Sequence, residues 1–480
     1  MDDLCYLPAT EALARFRERS LSPVEYLQAI TARIEETNAL VNSIAESLLE
    51  DAYAAARSAA GVYATRPDDA RPLEGLLVAA KAEQPIAGRL HTDGSLAFAD
   101  RIADVTHPVV ERVLAAGGIV HIRTTTPEFS CAAVTHTKLW GVTRNPWNLH
   151  YSPGGSSGGS AAALASGIAP LATGSDIGGS IRIPASFAGV VGYKPPYGRV
   201  PDLPPFNLDA YCHNGPMART VADCALLQNV IVGPHPLDAA SVRPAVAIPE
   251  PLDSAEGLRV AFAVNLGDWR TEPSVEANTR ATAEALRDAG VTVEEVELDL
   301  DWTVVARAAT IHYSAIFGRS VGDMVDAYGD LLTPYARRFA AMYAPGVAGG
   351  TLLDGLVLEA QIQERLAPVF ERYDALICPT SGIPALLAED RELAGLPAVD
   401  DDETDPIFDT IMTVPFNILS RCPVLAVPSG WAENAVPTGV QIVGRSYDDA
   451  TVFRLGAAVE EVRPWGYRDA DHRPSLAYVS

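Results

Sequence analysis

The sequence predicts an α/β protein in which a central mixed, twisted β-sheet is covered by helices on both faces. Three observations support this fold class. Short apolar runs bounded by turn residues, which suit buried strands, alternate along the chain with longer helical segments. The chain has 480 residues, of which 48% are hydrophobic and 20% are charged, so it can bury a large core. No long polar linker divides it, so we expect one domain over residues 1–480.

The first elements follow from local signals. Two helices are predicted between Leu7 and Ala45. The second begins at Ser22-Pro23-Val24-Glu25, where the serine can cap, the proline fits the first turn and the glutamate completes a capping box. The run from Leu76 to Ala80 is short and apolar, which predicts a buried strand. Lys81 stands at the end of this strand, where a charged residue requires a structural or functional explanation.

The alternation continues through the rest of the chain. His107 to Ala116 predicts a helix that ends at Gly117-Gly118, and Ile119 to Ile122 predicts the next strand. The acidic stretch from Asp390 to Asp405 is typical of a surface loop. Further strands are predicted at Leu258 to Val264, Ala375 to Cys378, Val424 to Val427 and Gly439 to Val443, and further helices at Thr279 to Ala289 and Ala450 to Val462.

Charge and composition exclude several classes of function. The formal net charge of −25 would repel both a nucleic-acid backbone and an anionic membrane surface. No apolar run is long enough to span a bilayer, and the first residues lack the pattern of a signal peptide, so we expect a cytoplasmic protein. The six cysteines and nine histidines form no CxxC or HExxH pattern, so we expect neither a metal nor another cofactor.

Two glycine-rich turns flank an alanine-rich run in YSPGGSSGGSAAALASGIAPLATGSDIGGSIRIP, Tyr151 to Pro184. The apolar residues after each turn argue against a flexible linker, and the lack of a GxxxxGK[ST] pattern argues against a phosphate-binding loop. In the turn from Asp176 to Ser180, glycine N–H groups directly precede a serine hydroxyl. A serine that attacks a carbonyl carbon needs such donors for the developing oxyanion. Ser180 is therefore the candidate nucleophile.

A serine hydroxyl needs a base at neutral pH, and the sequence offers two. His213 follows Asp209 by four residues and could form a Ser-His-Asp arrangement. Lys81 could act instead, in its neutral form, through an intermediate hydroxyl of Ser156 or Ser157. This second arrangement is chemically sensible because a lysine among apolar neighbours and glycines loses its charge more easily than one in water.

A family resemblance extends over nearly the whole chain. The segment PGGSSGGSAAALASGIAPLATGSDIGGSIRIPASFAGVVGYKP resembles the signature of the amidase signature family, a large group of serine hydrolases that act on amide C–N bonds. The resemblance implies the amidase signature fold and an amidase without a cofactor. Other blocks similar to the family are GGIVHIRTTTPEFS, TRNPWN, HNGPMARTVADCALL, YDALICPT, FNILSRCPVLAVPSG and PTGVQIVGRSYDDATVFRLGAAVE.

The resemblance implies a Ser–cis-Ser–Lys triad, with Ser180 as nucleophile, Ser156 as the proton-relaying serine and Lys81 as base. In the family the relay serine lies 24 positions before the nucleophile, and Ser156 has this spacing from Ser180. Three further sets of residues follow from the resemblance: oxyanion-hole amides at Ile177, Gly178, Gly179 and Ser180, supporting side chains at Ser157, Asp176 and Arg182, and pocket residues at Ser130, Cys131 and Ala132.

The sequence departs from the family pattern beside the candidate base. The family usually has K-D-x-x-D after the lysine, whereas this chain reads Lys81-Ala82-Glu83-Gln84-Pro85. The GKTN that often follows the second strand reads His121-Ile122-Arg123-Thr124. These departures leave the local support of Lys81 open. A purely structural alternative for Lys81 is a buried ion pair with Glu83 or Asp176.

The expected domain has four parts: an N-terminal helical layer (1–70), a catalytic core with the signature (71–235), a variable substrate-pocket region (236–372) and the C-terminal part of the core (373–480). In the third part, Trp302 to Leu366 mixes Trp, Tyr, Phe, Met and Ala, which predicts an apolar pocket wall. We therefore expect a small-molecule amide substrate for a monomer or homodimer.

Three functions remain open at this point. The first is an amidase for a small apolar or aryl amide, able also to cleave esters and carbamates. The second is the glutaminase subunit of a tRNA-dependent amidotransferase, against which the run PDLPPFNLDAYCHNGPM argues, since such subunits usually carry a different run there. The third is a catalytically silent binding protein, against which the intact Lys81, Ser156 and Ser180 argue.

Overall fold

The computed structural model describes residues 2–344, 346, 349–389, 406–467 and 469–479. The predicted surface loop from Asp390 to Asp405 lies outside the described residues. The strands are β1 (Ile44–Ser47), β2 (Leu77–Lys81), β3 (Ile119–Thr124), β4 (His136–Thr137), β5 (Gly141–Val142), β6 (Leu171–Asp176), β7 (Val191–Lys194), β8 (His213–Ala218), β9 (Arg259–Phe262), β10 (Thr292–Glu295), β11 (Ala375–Pro379), β12 (Val424–Trp431) and β13 (Pro437–Gly444).

The α-helices are α1 (Asp2–Cys5), α2 (Ala9–Glu18), α3 (Pro23–Val41), α4 (Leu49–Thr65), α5 (Pro108–Ala115), α6 (Gly158–Ala165), α7 (Arg182–Ala188), α8 (Val221–Ile231), α9 (Pro273–Asp288), α10 (Trp302–Ile316), α11 (Gly318–Tyr328), α12 (Pro334–Met342), α13 (Leu352–Arg372), α14 (Pro415–Ile418) and α15 (Asp449–Val462). None of the helices in the described part of the chain is long and apolar enough to cross a bilayer.

Eleven strands form one sheet in the order β1-β3-β2-β6-β8-β7-β12-β13-β11-β9-β10. Strand β2 runs parallel to β3 and β6, and β9 runs parallel to β10 and β11. The other neighbours in this sheet are antiparallel. The predicted mixed sheet is therefore confirmed. Strands β4 and β5 form a separate antiparallel pair.

The side chains of β11 alternate between two hydrophobic layers. Ala375 and Ile377 belong to a layer that also contains buried side chains of α3, α4, α5, α8, α9 and α15. Leu376 and Cys378 belong to a second layer, with buried side chains of α10, α13 and α14. Because successive side chains of a strand point to opposite faces, helices cover both faces of the sheet here. The predicted α/β class is confirmed.

Local sequence signals place most element ends correctly. The Ser22 hydroxyl accepts a hydrogen bond from the Glu25 amide at 3.1 Å, and the Glu25 carboxylate accepts one from the Ser22 amide at 2.9 Å, which completes the predicted capping box at α3. The predicted strands and helices all overlap observed ones. Helix α9, however, begins at Pro273 rather than Thr279, because the proline fits its first turn and Val275 extends its buried face.

The strand order brings three polar residues to one edge of the sheet. Lys81 is the last residue of β2, and Asp176 is the last residue of the neighbouring parallel strand β6. Strand β8 runs antiparallel to β6, so its first residue, His213, lies opposite Asp176. Open α/β sheets bind ligands outside the carboxyl ends of their parallel strands. This edge is therefore where a site is expected.

Candidate active site

A cavity of about 500 Å³ opens at this edge. Both candidate serines, Ser156 and Ser180, line it, together with Asp176, Ile177 and Gly178 of the second glycine-rich turn. A volume of this size suits a small organic molecule. The two turns that the sequence singled out therefore meet at one concave site.

The amine of Lys81 lies against two hydroxyls and one carboxylate. Its Nζ is 2.7 Å from Ser156 Oγ, 2.7 Å from Ser175 Oγ and 2.5 Å from Glu83 Oε2. The side chain is fully buried, and burial lowers the pKa of Lys81, whereas the carboxylate of Glu83 raises it. The candidate base is thus in direct contact with the candidate relay serine. The Gly155–Ser156 peptide bond is cis.

Ser157 connects the two glycine-rich turns. Its amide donates a hydrogen bond to the carbonyl oxygen of Ser180 at 3.1 Å, and its hydroxyl donates to the carbonyl oxygen of Ser175 at 3.3 Å. Within the described residues no hydrogen bond joins the hydroxyls of Ser156 and Ser180, which share the cavity wall. Catalytic hydrogen bonds commonly tighten only when substrate binds.

A buried carboxylate holds the second turn in shape. The carboxylate of Asp176 accepts hydrogen bonds from the Gly179 amide at 2.8 Å, the Ile181 amide at 3.2 Å and the Asn417 side chain at 2.9 Å. Two nitrogens of Arg182 also donate to it, each at 3.0 Å. Burial alone would raise the pKa of Asp176, but the Arg182 guanidinium and the Asn417 amide hold this pKa far below its usual range.

The turn leaves part of its backbone free for a ligand. The amide of Gly179 already donates to Asp176. The amides of Ile177, Gly178 and Ser180 donate to no acceptor in the described part of the chain. Successive amides of this kind can bind a developing oxyanion. Three of the four amides that the sequence analysis named are therefore available for this purpose.

The alternative Ser-His-Asp arrangement is not formed. The carboxylate of Asp209 accepts a hydrogen bond from Nε2 of His312 at 2.8 Å, so this carboxylate does not orient His213. His213 instead donates from Nδ1 to the carbonyl oxygen of Tyr211 at 2.7 Å. Burial, followed by the nearby Lys194 ammonium, lowers the pKa of His213 to about 3. The histidine is buried and lines the cavity.

One wall of the cavity is apolar. It is built mainly by α10, α11, α12 and the segments beside them, where the sequence predicted an apolar wall. The aromatic rings of Phe317 and Phe339 pack edge to face with centroids 5.9 Å apart, and Tyr343 packs against Phe339 at 4.5 Å. The apolar wall comprises Phe206, Tyr313, Phe317, Val321, Met324, Phe339, Met342, Tyr343, Phe408, Ile411 and Val414.

A second part of the cavity wall is polar, and sequence reasoning missed most of it. The three predicted pocket residues Ser130, Cys131 and Ala132 line the cavity. Two histidine–carboxylate contacts were not predicted, between His91 and Asp93 and between His107 and Asp202. The partners in the second pair are 95 positions apart, so no local motif connects them. Glu83 also lies on this wall, and the sequence indicated it only as a structural partner of Lys81.

A cluster of metal ligands or a reactive thiol would allow a different chemistry at this site. Across the ranges that the structure describes, no three His, Cys, Asp or Glu side chains lie close enough together to hold a metal ion. Cys131 donates a hydrogen bond from Sγ to the carbonyl oxygen of Glu128 at 3.1 Å, and burial raises the pKa of its thiol. Its thiol form is therefore favoured over the reactive thiolate.

The fold and this site define a hydrolase that acts on C–N bonds, and comparison with known proteins identifies its family. The Amidase family model matches residues 25–453, so the chain belongs to the amidase signature family. The chain is similar over 98% of its length, with 25% identity and a TM-score of 0.89, to a bacterial aryl acylamidase of the amidase signature family, 99% of which is covered.

Two curated relatives carry different functions. The chain is 33% identical to one of the subunits of the glutamyl-tRNA(Gln) amidotransferase of Chloroflexus aggregans, over 99% of this chain and 100% of that protein. It is 31% identical to an acylamidase of Rhodococcus erythropolis, over 99% of both chains. Sequence identity alone therefore does not separate an acylamidase from an amidotransferase subunit.

Proposed function

We propose that the protein is a stand-alone amidase that hydrolyses the carboxylic amide bond of a small, apolar or aryl substrate through an acyl-serine intermediate. Ser180 is the nucleophile, Ser156 relays its proton and Lys81 is the base. The observation that carries this assignment is the hydrogen bond between Lys81 Nζ and Ser156 Oγ at the base of a cavity that Ser180 also lines.

The proton path follows from these positions. Neutral Lys81 takes the proton of Ser156, Ser156 takes the proton of Ser180, and the Ser180 oxygen attacks the substrate carbonyl carbon. Burial of Lys81 supports this path, since it lowers the pKa of the amine. The tetrahedral oxyanion accepts hydrogen bonds from the free amides of Ile177, Gly178 and Ser180.

The same path run backwards completes the reaction. The protonated Lys81 returns a proton through Ser156 to the leaving nitrogen, so the C–N bond breaks and an amine departs. A water molecule then loses its proton to the same relay and attacks the acyl-enzyme carbonyl. The acid product leaves and Ser180 regains its proton, which restores the starting state.

The apolar wall supports an aryl or apolar substrate. Phe317, Phe339 and Met342 offer ring faces and a thioether rather than hydrogen-bonding groups. A substrate bound against them gains free energy from burial of apolar surface. Esters and carbamates with the same side groups fit the same chemistry, because they present an equivalent carbonyl carbon and a better or comparable leaving group.

A glutaminase subunit of a tRNA-dependent amidotransferase is the second candidate. The 33% identity to a glutamyl-tRNA(Gln) amidotransferase subunit favours it. The free glutamine substrate carries an ammonium and a carboxylate at one end, and binding it requires matching charges. The Asp93 and Asp202 carboxylates of this cavity each already contact a histidine, and another part of the wall is apolar, so the cavity suits the apolar amide better.

Hydrolysis of a matched substrate panel tests the proposal. The panel contains an aryl amide, the ester and the carbamate with the same side groups, a short aliphatic amide and glutamine. Wild type and Ser180→Ala are assayed side by side. We expect release of product from the aryl amide by wild type alone, because only wild type has the nucleophile. Turnover of glutamine with none of the aryl amide would favour the amidotransferase subunit.

A further inference from the structure

Glu83 is the carboxylate closest to the candidate base, and its two oxygens are used differently. Oε2 lies 2.5 Å from Lys81 Nζ and accepts hydrogen bonds from Ser175 Oγ at 2.7 Å and Ser130 Oγ at 3.0 Å. Oε1 accepts no hydrogen bond from any described residue. The side chain is 37% exposed and lines the cavity. One oxygen is therefore fixed against Lys81 and the other borders the substrate space.

The backbone around Glu83 holds the carboxylate in this place. Glu83 lies in the turn that follows β2. In this turn the Ala82 amide donates to the carbonyl oxygen of Thr124 at 3.1 Å, and the Gln84 amide donates to the carbonyl oxygen of Lys81 at 3.0 Å. On the opposite side, Ser130 has a φ of +54°, a left-handed conformation that serine rarely adopts. Such outliers persist where the surroundings impose them and commonly mark functional sites.

The other carboxylates near Lys81 each contact a side chain that has no part in the proton relay. Asp176 is paired with Arg182, and Asp202 with His107 at 2.9 Å. Asp93, further along the polar wall, contacts both Arg101 and His91. Within the described residues, Lys81 is the only cation that contacts Glu83. The charge of Glu83 is therefore balanced by the residue whose charge changes during the reaction.

We propose that Glu83 is a positioning residue that holds the Lys81 amine against Ser156 and stabilises the ammonium formed when the Ser180 proton reaches Lys81. This inference rests on the proposed function. No net charge or atom is added by the step: one proton moves from Ser180 to Ser156, a second moves from Ser156 to Lys81, and Glu83 stays ionised throughout. The arrangement resembles the way a carboxylate supports the imidazolium in a Ser-His-Asp triad.

The electrostatics agree with this role. Burial opposes ionisation of Glu83, but the Lys81 ammonium and the hydroxyls of Ser175 and Ser130 lower its pKa, so the carboxylate is charged at neutral pH. Glu83 in turn raises the pKa of Lys81 against the effect of burial, with smaller contributions from Asp176 and Asp202. Removing the Glu83 charge should therefore lower the pKa of Lys81.

The test is the pH profile of kcat/KM for Glu83→Gln with a neutral aryl amide. Glutamine keeps the size of the side chain and removes its charge. We expect the rate on the plateau to fall about tenfold or more, because the ammonium loses its stabilising partner. We also expect the acid limb, which reports deprotonation of Lys81, to move to lower pH by about one unit or more, since an adjacent opposite charge has an effect of this size.

Two further variants make the shift specific. Asp93→Asn removes one negative charge from the same wall without a contact to Lys81, and its backbone, at a φ of +48°, suits asparagine equally well. The acid limb of its pH profile should lie at the same pH as that of wild type. Glu83→Asp restores the charge at a greater distance from Lys81, so its acid limb should lie between those of wild type and Glu83→Gln.

Each outcome has one meaning. An acid limb that does not move in Glu83→Gln overturns the inference, even if the rate falls, because a merely structural role predicts that result. If Glu83→Gln does not fold, an unmoved limb in Glu83→Asp overturns it in the same way. A wild-type enzyme that cleaves no amide of the panel contradicts the proposed function instead, so the two failures are distinguishable.

Discussion

At the scale of single residues, the candidate site depends on the buried amine of Lys81, whose surroundings shift its pKa in opposite directions. Burial favours the neutral form of Lys81, which a base requires, whereas Glu83 favours the ammonium, which the reaction produces. A base must accept a proton and later return it, so neither form can be strongly preferred. The serine hydroxyls of Ser156 and Ser175 can serve both forms, because a hydroxyl both donates and accepts hydrogen bonds.

Three substitutions separate the lysine relay from a histidine base. Ser180→Ala and Lys81→Ala should each lower kcat/KM on an aryl amide by about 10³-fold or more, because either change removes the activated nucleophile. His213→Ala should keep most of the turnover of the folded enzyme. It should instead lower the free energy of unfolding by about 1–3 kcal/mol, because the buried carbonyl oxygen of Tyr211 loses its donor.

Kinetics and thermal unfolding, measured on the same preparations, check this prediction. The unfolding data show how much of each variant is folded, so turnover can be compared per folded molecule. A loss of activity in His213→Ala as large as that in Ser180→Ala would contradict the lysine relay.

At the scale of elements, the turn between β6 and α7 is fixed from both sides. Asp176 binds it from within, and side chains of other segments bind its carbonyl groups from outside. Tyr313 donates to the carbonyl oxygen of Ile177 at 3.1 Å, and Thr413 donates to that of Gly178 at 2.5 Å. Both carbonyl groups therefore already have a donor, whereas the amides of Ile177, Gly178 and Ser180 have no acceptor among the described residues. The turn is preorganised to stabilise negative charge.

A pair of glycine substitutions tests how tightly this turn is packed. Gly179 has a φ of +125°, and a Cβ there would lie 2.2 Å from Thr413 Oγ1. Gly257 also has a positive φ, +82°, but a Cβ there would meet no atom within 4 Å. Gly257→Ala should cost about 1 kcal/mol of stability and no activity. Gly179→Ala should lower kcat/KM by about 10²-fold or more, because the free amides move.

Enzyme assays and urea unfolding of both variants provide the comparison. Gly257 has a positive φ but open space around it, so a further loss in Gly179→Ala reflects the crowding and the less favourable φ of this turn. Wild-type turnover by Gly179→Ala would show that the amides of this turn do not bind the oxyanion.

At the scale of the whole molecule, the sequence predicts what local signals encode and misses what strand order brings together. The capping box at Ser22 and the strand that ends at Lys81 depend on neighbours in the sequence, and both are observed. The hydrogen bond of Asp176 to Asn417 joins residues 241 positions apart. The contact of Glu83 with Ser130 joins residues 47 positions apart, and that of Asp209 with His312 joins residues 103 positions apart. Neither could be inferred from spacing.

The buried histidines make the stability of the whole molecule depend on pH. His121, on strand β3, is fully buried and donates from Nε2 to the carbonyl oxygen of Ile168 at 2.8 Å. Burial lowers its pKa from 6.5 to about 4. The unfolded chain binds a proton near pH 6.5, but the folded chain resists it until about pH 4. The stabilisation from neutral His121 is therefore complete above pH 6.5 and is lost progressively as the pH falls through this window.

We predict that His121→Gln weakens this dependence. Between pH 6.5 and pH 4, wild type should lose about 3 kcal/mol of unfolding free energy through His121 alone, at about 1.4 kcal/mol per pH unit. His213 adds to this slope, because its pKa is also lowered in the folded chain. His121→Gln should be less stable at pH 7 but should lose less stability on acidification, since glutamine does not titrate.

Urea unfolding at several pH values measures both quantities. His150→Gln, which changes an exposed histidine, should keep the wild-type slope. Equal slopes for wild type and His121→Gln would mean that His121 binds its proton as readily in the folded chain as in the unfolded one.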